Sequence, residues 1–225
     1  MTNTPTPAPF SRIKIRTGAL VFCGDDVALI RRDRTDSTHY TPPGGNVEDG
    51  EDLDVALARE LDEELGLDTA LAEGGDLVWV VDQRVTRPGP TPPPRKLHLI
   101  YRFHISPELR ATLAEQELDE LPDGSHEVGV IEWIDYRKTA ELPIFPPIGP
   151  ALAALADPRA AVANAALDAV TDENYTWLSP PKAGEDASGR GFRPRSTGSR
   201  LATPMPRQRP PTGEDPNGPS LLLAR

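Results

Sequence analysis

The 225-residue sequence predicts an α/β fold, a layered sandwich with a mixed sheet. Short apolar segments typical of strands alternate with helical segments, and several of the strand segments are close enough to form hairpins. Thr- and Pro-rich composition predicts that residues 1–11 are disordered, and nine Pro with six Gly predict the same for residues 179–225. The folded domain is therefore predicted at residues 12–178.

The strands are predicted from apolar segments bounded by turn residues. Segments 13–22 and 27–30 flank Gly24, Asp25 and Asp26, a combination that predicts a hairpin. Residues 31–40 are polar and are expected to form a loop. Three more strands are expected, at residues 77–81, 97–105 and, as the final strand, 128–134. In the strand at 97–105, alternation places the apolar side chains on one face and His98, Arg102 and His104 on the other.

The helices are predicted from apolar periodicity and from their end signals. Leucines recur every fourth residue from 53 to 65, which predicts an amphipathic helix over residues 52–65. Acidic residues precede this segment and Gly66 follows it, as is typical of a helix start and stop. A short helix is expected within residues 107–121, and an Ala-rich helix over residues 150–170.

Composition restricts the partners and the compartment. The last 47 residues hold eight Lys/Arg and four Asp/Glu, so the first 178 residues carry a formal charge of −15. Such an acidic body repels nucleic acid, and we expect no nucleic-acid partner. Cys23 is the only cysteine and there is no apolar run long enough to span a membrane. We therefore expect a cytoplasmic protein without a membrane partner.

One 23-residue stretch, from Gly45 to Leu67, carries most of the chemical information. Glu60, Glu63 and Glu64 share one helix face, where their charges repel one another. Divalent cations relieve that repulsion, and carboxylate oxygens suit Mg²⁺ or Mn²⁺, which commonly bridge to substrate phosphates. The stretch therefore indicates a metal site for phosphate chemistry.

The residues around these glutamates fit the same interpretation. Arg59 is placed either to hold a helix carboxylate such as Glu63 or to pair with Glu51 before the helix. Gly44 and Gly45 allow the backbone to approach a metal or a phosphate. Glutamate-rich helices are usually only solvated faces. Seven specified residues at fixed offsets, however, match by chance at about one start in 10⁸.

The stretch resembles the Nudix box, GX5EX7REUXEEXGU, in which U is a bulky aliphatic residue. Every specified position agrees, from Gly45 through Glu51 and Arg59 to Leu67. The resemblance implies an α/β/α sandwich over residues 13–170 and hydrolysis of a nucleoside diphosphate linked to another moiety, with Mg²⁺ or Mn²⁺.

The resemblance also assigns roles by position. It implies that Glu60, Glu63 and Glu64 ligate metal together with the backbone carbonyl of Gly44. Arg59 then orients the glutamates, Glu63 has a part in catalysis as well, and Glu51 supports the metal cluster.

Residues outside the box are candidates for the remaining roles. Glu127, six residues before Trp133, stands where the family often has its general base, or it is a solvated loop residue. Tyr40 is a candidate for stacking on a base, or for packing. Arg31 is a candidate for binding a phosphate, or is a surface charge.

Substrate choice and assembly are left open by the sequence. A nucleoside triphosphate, an oxidised one or a nucleotide sugar fits the box, and no downstream signature selects among them. The alternative function is a non-catalytic module that senses nucleotides. The family also includes many homodimers, which makes a homodimer one expected arrangement.

Overall fold

The structure is a computed structural model that describes residues 9–34, 37–86, 92–120, 124 and 126–175. The predicted tail and most of the predicted N-terminal segment lie outside these residues. So does much of the proline-rich loop that precedes residue 92.

The central strands form the predicted hairpin. Strand β1 spans Ile13–Cys23 and β2 spans Asp26–Arg34, paired antiparallel. Gly24 lies in the turn with φ of 62°, a conformation that favours glycine. Strand β3, Ser37–Thr41, pairs antiparallel with β2. The predicted loop at 31–40 is therefore wrong, because β2 continues through its polar residues and returns as β3.

The remaining strands complete a mixed sheet. They are β4 (Glu73–Arg84), β5 (Arg95–His104), β6 (Gln116–Glu120), β7 (His126–Asp135) and β8 (Val170–Thr171). Within the described residues the order is β6-β7-β2-β1-β5-β4-β8, with β3 beside β2. β1 and β5 are parallel, as are β4 and β8, whereas the other pairs are antiparallel. The predicted α/β class with a mixed sheet is confirmed.

Alternate residues of the central strands feed two separate cores. On β1, Leu20 and Phe22 belong to one core, and Ala19 and Val21 to the other. All four side chains are fully buried. The sheet is thus apolar on both faces, as expected for strands covered on both sides.

Helix α1, Leu53–Leu65, covers one face of the sheet. It ends at Gly66, whose φ of 67° is left-handed and whose N–H donates to the carbonyls of Leu61 and Asp62. The buried side chains are Ala56, Leu57, Leu61 and Leu65. Leu53, predicted in the apolar stripe, is instead 38% exposed, because it stands at the first turn beyond the edge of the core.

The second face is covered by shorter elements. A 3₁₀ helix at Tyr136–Glu141 leads to helix α3, Gly149–Ala153, which buries Leu152. An earlier helix, α2, occupies Pro107–Arg110, inside the predicted window, and the 3₁₀ helix Thr69–Leu71 follows α1.

The long Ala-rich helix expected at 150–170 is wrong. Only its first residues are helical, and Pro158 interrupts the segment that follows. The N–H of Val80 donates to the carbonyl of Ala165 at 2.7 Å, and the N–H of Leu167 donates to the carbonyl of Val80 at 3.1 Å. Pairing with β4 thus overrides helix propensity, and the segment leads into β8, so β7 is not the last strand of the described residues.

The strands β1 and β2 separate beyond their turn. Their paired residues are Phe22 with Val27 and Cys23 with Asp26. Further along, the segment 43–47 lies beside β1: the N–H of Ala19 donates to the carbonyl of Pro43 at 2.8 Å, and that of Thr17 to Gly45 at 3.0 Å. A gap therefore opens inside the sheet, next to the glycines that precede α1.

No helix among the described residues is long and apolar enough to cross a membrane.

Candidate active site beside helix α1

Arg59 is the centre of an ion-pair network at the start of α1. Its Nε and Nη2 donate to the two carboxylate oxygens of Glu51, at 2.9 and 3.1 Å. Its Nη1 donates to Glu60 at 2.9 Å and to Glu63 at 3.2 Å. Both of the contacts predicted for Arg59, with Glu51 and with Glu63, are thus present together. The network raises the pKa of Arg59, chiefly through the hydrogen bond that Arg59 donates to Glu51, and the same bond lowers the pKa of Glu51.

Two of the three helix glutamates converge on the glycine pair. The N–H of Gly44 donates to Oε2 of Glu64 at 2.6 Å. The carboxylate of Glu60 lies against Gly45, where any Cβ would collide with it. Glu63 differs from them, since its side chain is 59% exposed. Glu60 and Glu64 therefore face the gap, and Glu63 lies on the solvent side of the helix.

Gly44 has a conformation and an environment that only glycine suits. Its φ is +136°, and an added Cβ would lie 2.5 Å from the Cα of Gly18. Its carbonyl accepts a hydrogen bond of 2.7 Å from Nη2 of Arg16. The predicted metal-binding carbonyl thus accepts from a guanidinium of β1, while the N–H of the same residue donates to a carboxylate of α1.

The carboxyl groups that face the gap have raised pKa values. Burial and the nearby charge of Glu117 raise the pKa of Glu64 to about 8. Burial also raises the pKa of Glu60, although Arg59 opposes the shift. Carboxylates held close together out of water favour either a proton or a cation.

These donors fit a hard divalent cation. In the part of the chain that the structure describes, no three His, Cys, Asp or Glu side chains are already grouped as a metal site. Glu60, Glu64 and the Gly44 carbonyl nevertheless bring hard oxygen donors to one segment, and burial raises the pKa of both carboxyl groups, so that a nearby cation would favour their ionised forms. Carboxylate and carbonyl oxygens are the ligands that Mg²⁺ and Mn²⁺ prefer.

A cavity of about 350 Å³ opens at the gap between β1 and β2. Gly44 and Glu64 lie at its border with α1. Its lining comes from both faces of the sheet and includes four Lys or Arg and two carboxylates. The volume lies within the range of small-molecule sites. The cations of the lining are Arg16, Arg32, Arg34 and Lys96.

Glu127 lies in this cavity together with Glu64. Its Oε1 accepts from Nε of Arg34 at 3.1 Å, and its Oε2 lies 3.8 Å from Nε of Arg32. Arg32 in turn is buried and binds Glu117 and, at 2.9 Å, the hydroxyl of Thr41. Glu127 is therefore a held, partly buried carboxylate that faces the cavity.

Arg31 and Tyr40 do not line the cavity. Both bind Glu132, Arg31 by an ion pair and Tyr40 by a hydroxyl hydrogen bond of 3.1 Å. The β2–β3 register pairs Arg31 with Tyr40 and Arg32 with His39, so the two pairs face opposite sides of the sheet. Arg32 and His39 line the cavity.

The sequence reasoning missed several residues of the cavity. Arg16, Lys96 and His98 come from β1 and β5, and Phe145 and Tyr175 close the far side. Arg16 and Lys96 could have been identified by their positive charge, because each lies in a strand that also contributes buried apolar side chains. His98 was placed on a polar face, but it is 4% exposed, with Nε2 at 2.8 Å from Oε1 of Gln83.

Solved structures resemble this chain at low identity. The E. coli ORF135 protein is 23% identical over 63% of this chain and 86% of its own, with a TM-score of 0.42. The MutT protein from Methanosarcina mazei Go1 is 19% identical over 66% and 94%, with a TM-score of 0.45. A C. elegans Ap4A hydrolase is 18% identical over 62% of this chain and 92% of its own, with a TM-score of 0.43.

No curated protein matches the chain. The family model described as NUDIX domain matches residues 13–155, which is more than half of the sequence. The match contains the whole carboxylate helix, its glycine pair and β1 to β7. The chain therefore belongs to the Nudix hydrolase family.

Proposed function

We propose that this protein is a metal-dependent hydrolase of a phosphoanhydride bond in a nucleoside diphosphate linked to another moiety. The observation that carries the proposal is the convergence of Glu60 and Glu64 on the glycine pair, where Gly44 and Glu64 line the cavity. A carboxylate site beside a basic cavity suits a substrate that is both polyanionic and bound through cations.

The metal would be held by Glu60, Glu63, Glu64 and the carbonyl of Gly44. Bound Mg²⁺ or Mn²⁺ neutralises charge on the substrate phosphates and lowers the pKa of water. Arg59 fixes the carboxylates through its bonds to Glu51, Glu60 and Glu63. Its role is to position them, and Glu51 supports that role from the preceding loop.

Glu127 is proposed as the general base. It faces the same cavity as Glu64, and Arg34 and Arg32 hold its carboxylate in place. In the reaction it accepts a proton from the attacking water. A new oxygen–phosphorus bond forms, the bridging oxygen–phosphorus bond breaks, and the second phosphate leaves with the bonding electrons.

The substrate is a nucleotide-type small molecule in this proposal: a nucleoside triphosphate, an oxidised one or a nucleotide sugar. Arg31 and Tyr40, the candidates for substrate binding, bind Glu132 at the opposite face of β2 and do not line the cavity. The acidic charge of the body favours no nucleic-acid partner. Cytoplasmic location and a homodimer remain part of the proposal.

The test is a screen for released phosphate or pyrophosphate over a nucleotide panel, with Mg²⁺ and with Mn²⁺. Wild type should turn over at least one compound, and Glu64→Gln should lose that turnover. Asp62→Asn, an exposed neighbour on α1, should retain it. Tight binding of a nucleotide without turnover by wild type would instead favour the non-catalytic sensing module.

A further inference from the structure

Thr17, on β1, has a buried hydroxyl at the wall of the cavity. The residue lines the cavity and is only 1% exposed. In the part of the chain that the structure describes, its Oγ1 has no hydrogen-bond partner. Buried polar atoms are almost always bonded to protein or to an ordered water, so an exception requires an explanation. This hydroxyl is therefore a candidate for binding a molecule that enters the cavity.

The segment before α1 sets the direction of the Thr17 side chain. Arg16 and Asn46 form an antiparallel bridge, and the N–H of Thr17 donates to the carbonyl of Gly45 at 3.0 Å. This register places Thr17 opposite Gly45. Because opposing residues of an antiparallel pair project to the same face, the Thr17 side chain lies on the face to which a Cβ of Gly45 would point.

That face holds the carboxylates of α1. The Glu60 carboxylate occupies the place where a Cβ of Gly45 would lie. Opposing Cβ positions are about 4.5–5.5 Å apart, which sets the distance from the Thr17 Cβ to the Glu60 carboxylate. Glu64 is adjacent, since its Oε2 accepts from the N–H of Gly44 at 2.6 Å. The Thr17 hydroxyl thus lies beside both carboxylates but hydrogen bonds to neither.

A water molecule suits this separation better than a direct contact does. A hydroxyl and a carboxylate that are too far apart for a direct bond are commonly bridged by water. The carboxylates also fit a hard divalent cation, and Mg²⁺ usually keeps several waters when carboxylates bind it. Such a water has hydrogens to donate, and the Thr17 Oγ1 is an acceptor.

We propose that Thr17 is a further residue of the cation site, and that its hydroxyl accepts a hydrogen bond from a water molecule bound to the cation. The inference rests on the proposed function. It adds a residue of β1 to a site otherwise built from α1 and the glycines before it. Thr17 positions the water and does not ligate the cation. Without the cation the hydroxyl stays unpaired, so the group that improves cation binding also lowers the stability of the cation-free protein.

The test is calorimetric titration of Mn²⁺ into proteins that have been freed of metal with EDTA and dialysed. Thr17→Val removes the hydroxyl at nearly constant volume, and Thr17→Ser retains it. Thr139→Val is the matched control, because Thr139 is fully buried, bonds within the protein and lies outside the cavity lining. Thr17→Val should weaken Mn²⁺ binding about tenfold, as is typical when the partner of a metal-bound group is removed, whereas the other two should change it less than about threefold.

Thermal melts separate this role from a purely structural one. The rise in melting temperature on adding Mn²⁺ depends on how tightly the folded protein binds the cation. The rise should be smaller for Thr17→Val than for wild type, although the variant is the more stable protein in EDTA. A purely structural hydroxyl would change the melting temperature in EDTA and leave that rise unaltered.

Equal Mn²⁺ affinity in wild type and Thr17→Val overturns the proposal, and so does an equal loss of affinity in Thr139→Val or in Thr17→Ser. A wild type that binds no Mn²⁺ overturns it together with the metal dependence of the proposed function. A hydrolysis screen without turnover, alongside Mn²⁺ binding that depends on Thr17, removes the proposed reaction alone.

Discussion

Arg59 and Glu51 are joined by two parallel hydrogen bonds, from Nε to Oε1 at 2.9 Å and from Nη2 to Oε2 at 3.1 Å. This fork ties α1 to the loop that precedes it. The same Glu51 carboxylate accepts from the N–H of Glu48 at 3.0 Å. One guanidinium therefore sets the positions of the loop and of the helix carboxylates.

Arg59→Lys should reduce kcat by about 10- to 100-fold, because lysine keeps the charge but cannot form the fork. Steady-state kinetics on the best substrate measure this. Arg137→Lys is the matched control, since Arg137 makes a comparable fork to Asp135 at 2.8 and 3.0 Å and lies outside the cavity lining. Equal losses in both variants would contradict a positioning role for Arg59.

Gly45→Ala should abolish turnover, because its methyl group would occupy the place of the Glu60 carboxylate. The substitution tests contact rather than backbone strain. Gly50→Ala provides the comparison: Gly50 has φ of +83°, and an added Cβ there meets nothing within 4 Å. Gly50→Ala should lower the melting temperature but leave kcat within about twofold, since its cost is conformational. An active Gly45→Ala variant would show that turnover does not require the Glu60 carboxylate at this position.

Glu64→Gln should be more stable than wild type in EDTA at pH 8. The folded pKa of Glu64 is about 8 and its ordinary value is 4.5, so its unfavourable effect grows as pH rises from 4.5 to 8. The amide removes that effect. Denaturant melts at pH 5 and pH 8 measure it, with the exposed Glu63→Gln as control. No gain at pH 8 relative to pH 5 would count against the burial of a charged Glu64.

The His98→Gln variant should reduce the sensitivity of the fold to acid. Folded His98 has a pKa of about 3 against an ordinary 6.5, so the unfolded chain binds more protons between these values. Stability is therefore lost as pH falls below 6.5, by about 2 kcal/mol at pH 5. Urea melts of both proteins at pH 7.5 and 5 should show their difference shifting by that amount in favour of the variant. A difference that is independent of pH contradicts a buried neutral His98.

Thr17→Val should raise stability by about 1 kcal/mol, because the buried Thr17 hydroxyl has no hydrogen-bond partner among the described residues. Thr139→Val is the control. Thr139 is equally buried, but its hydroxyl donates to the carbonyls of Tyr136 and Gly149, at 2.6 and 3.0 Å. Its loss should destabilise the protein. If thermal melts show the same change in stability for both substitutions, the Thr17 hydroxyl has a hydrogen-bond partner in solution.

Helix α1 could be predicted nearly residue by residue, because leucine period and a terminal Gly66 are local signals. The strand pairing near the cavity could not. Arg31 and Arg32 are adjacent in sequence, yet the β2–β3 register sends them to opposite faces of the sheet. A segment predicted as a loop has no defined sheet faces. The sequence therefore could not show that Arg32, rather than Arg31, lies on the cavity side.

The elements that cover the second face of the sheet could not be predicted from local sequence signals either. Alanines favour helix at 150–170, but Ala165 and Leu167 form backbone hydrogen bonds with Val80, which lies in a strand more than eighty residues earlier. Likewise, alternation along the strand predicts His98 on a polar face. The ring of Phe145 packs against the ring of His98, at 5.7 Å between centroids, and shows that this face is covered. Such contacts depend on the whole fold.

The parting of β1 and β2 has a consequence for how specificity can vary. A sheet normally separates two cores, so that a side chain on one face has no influence on a ligand at the other. Here the opening admits side chains from both faces, with His98 and Ile100 on one side and Arg32 and His39 on the other. The shape of the cavity can therefore be altered from either core by repacking alone, while the glutamates of α1 stay unchanged.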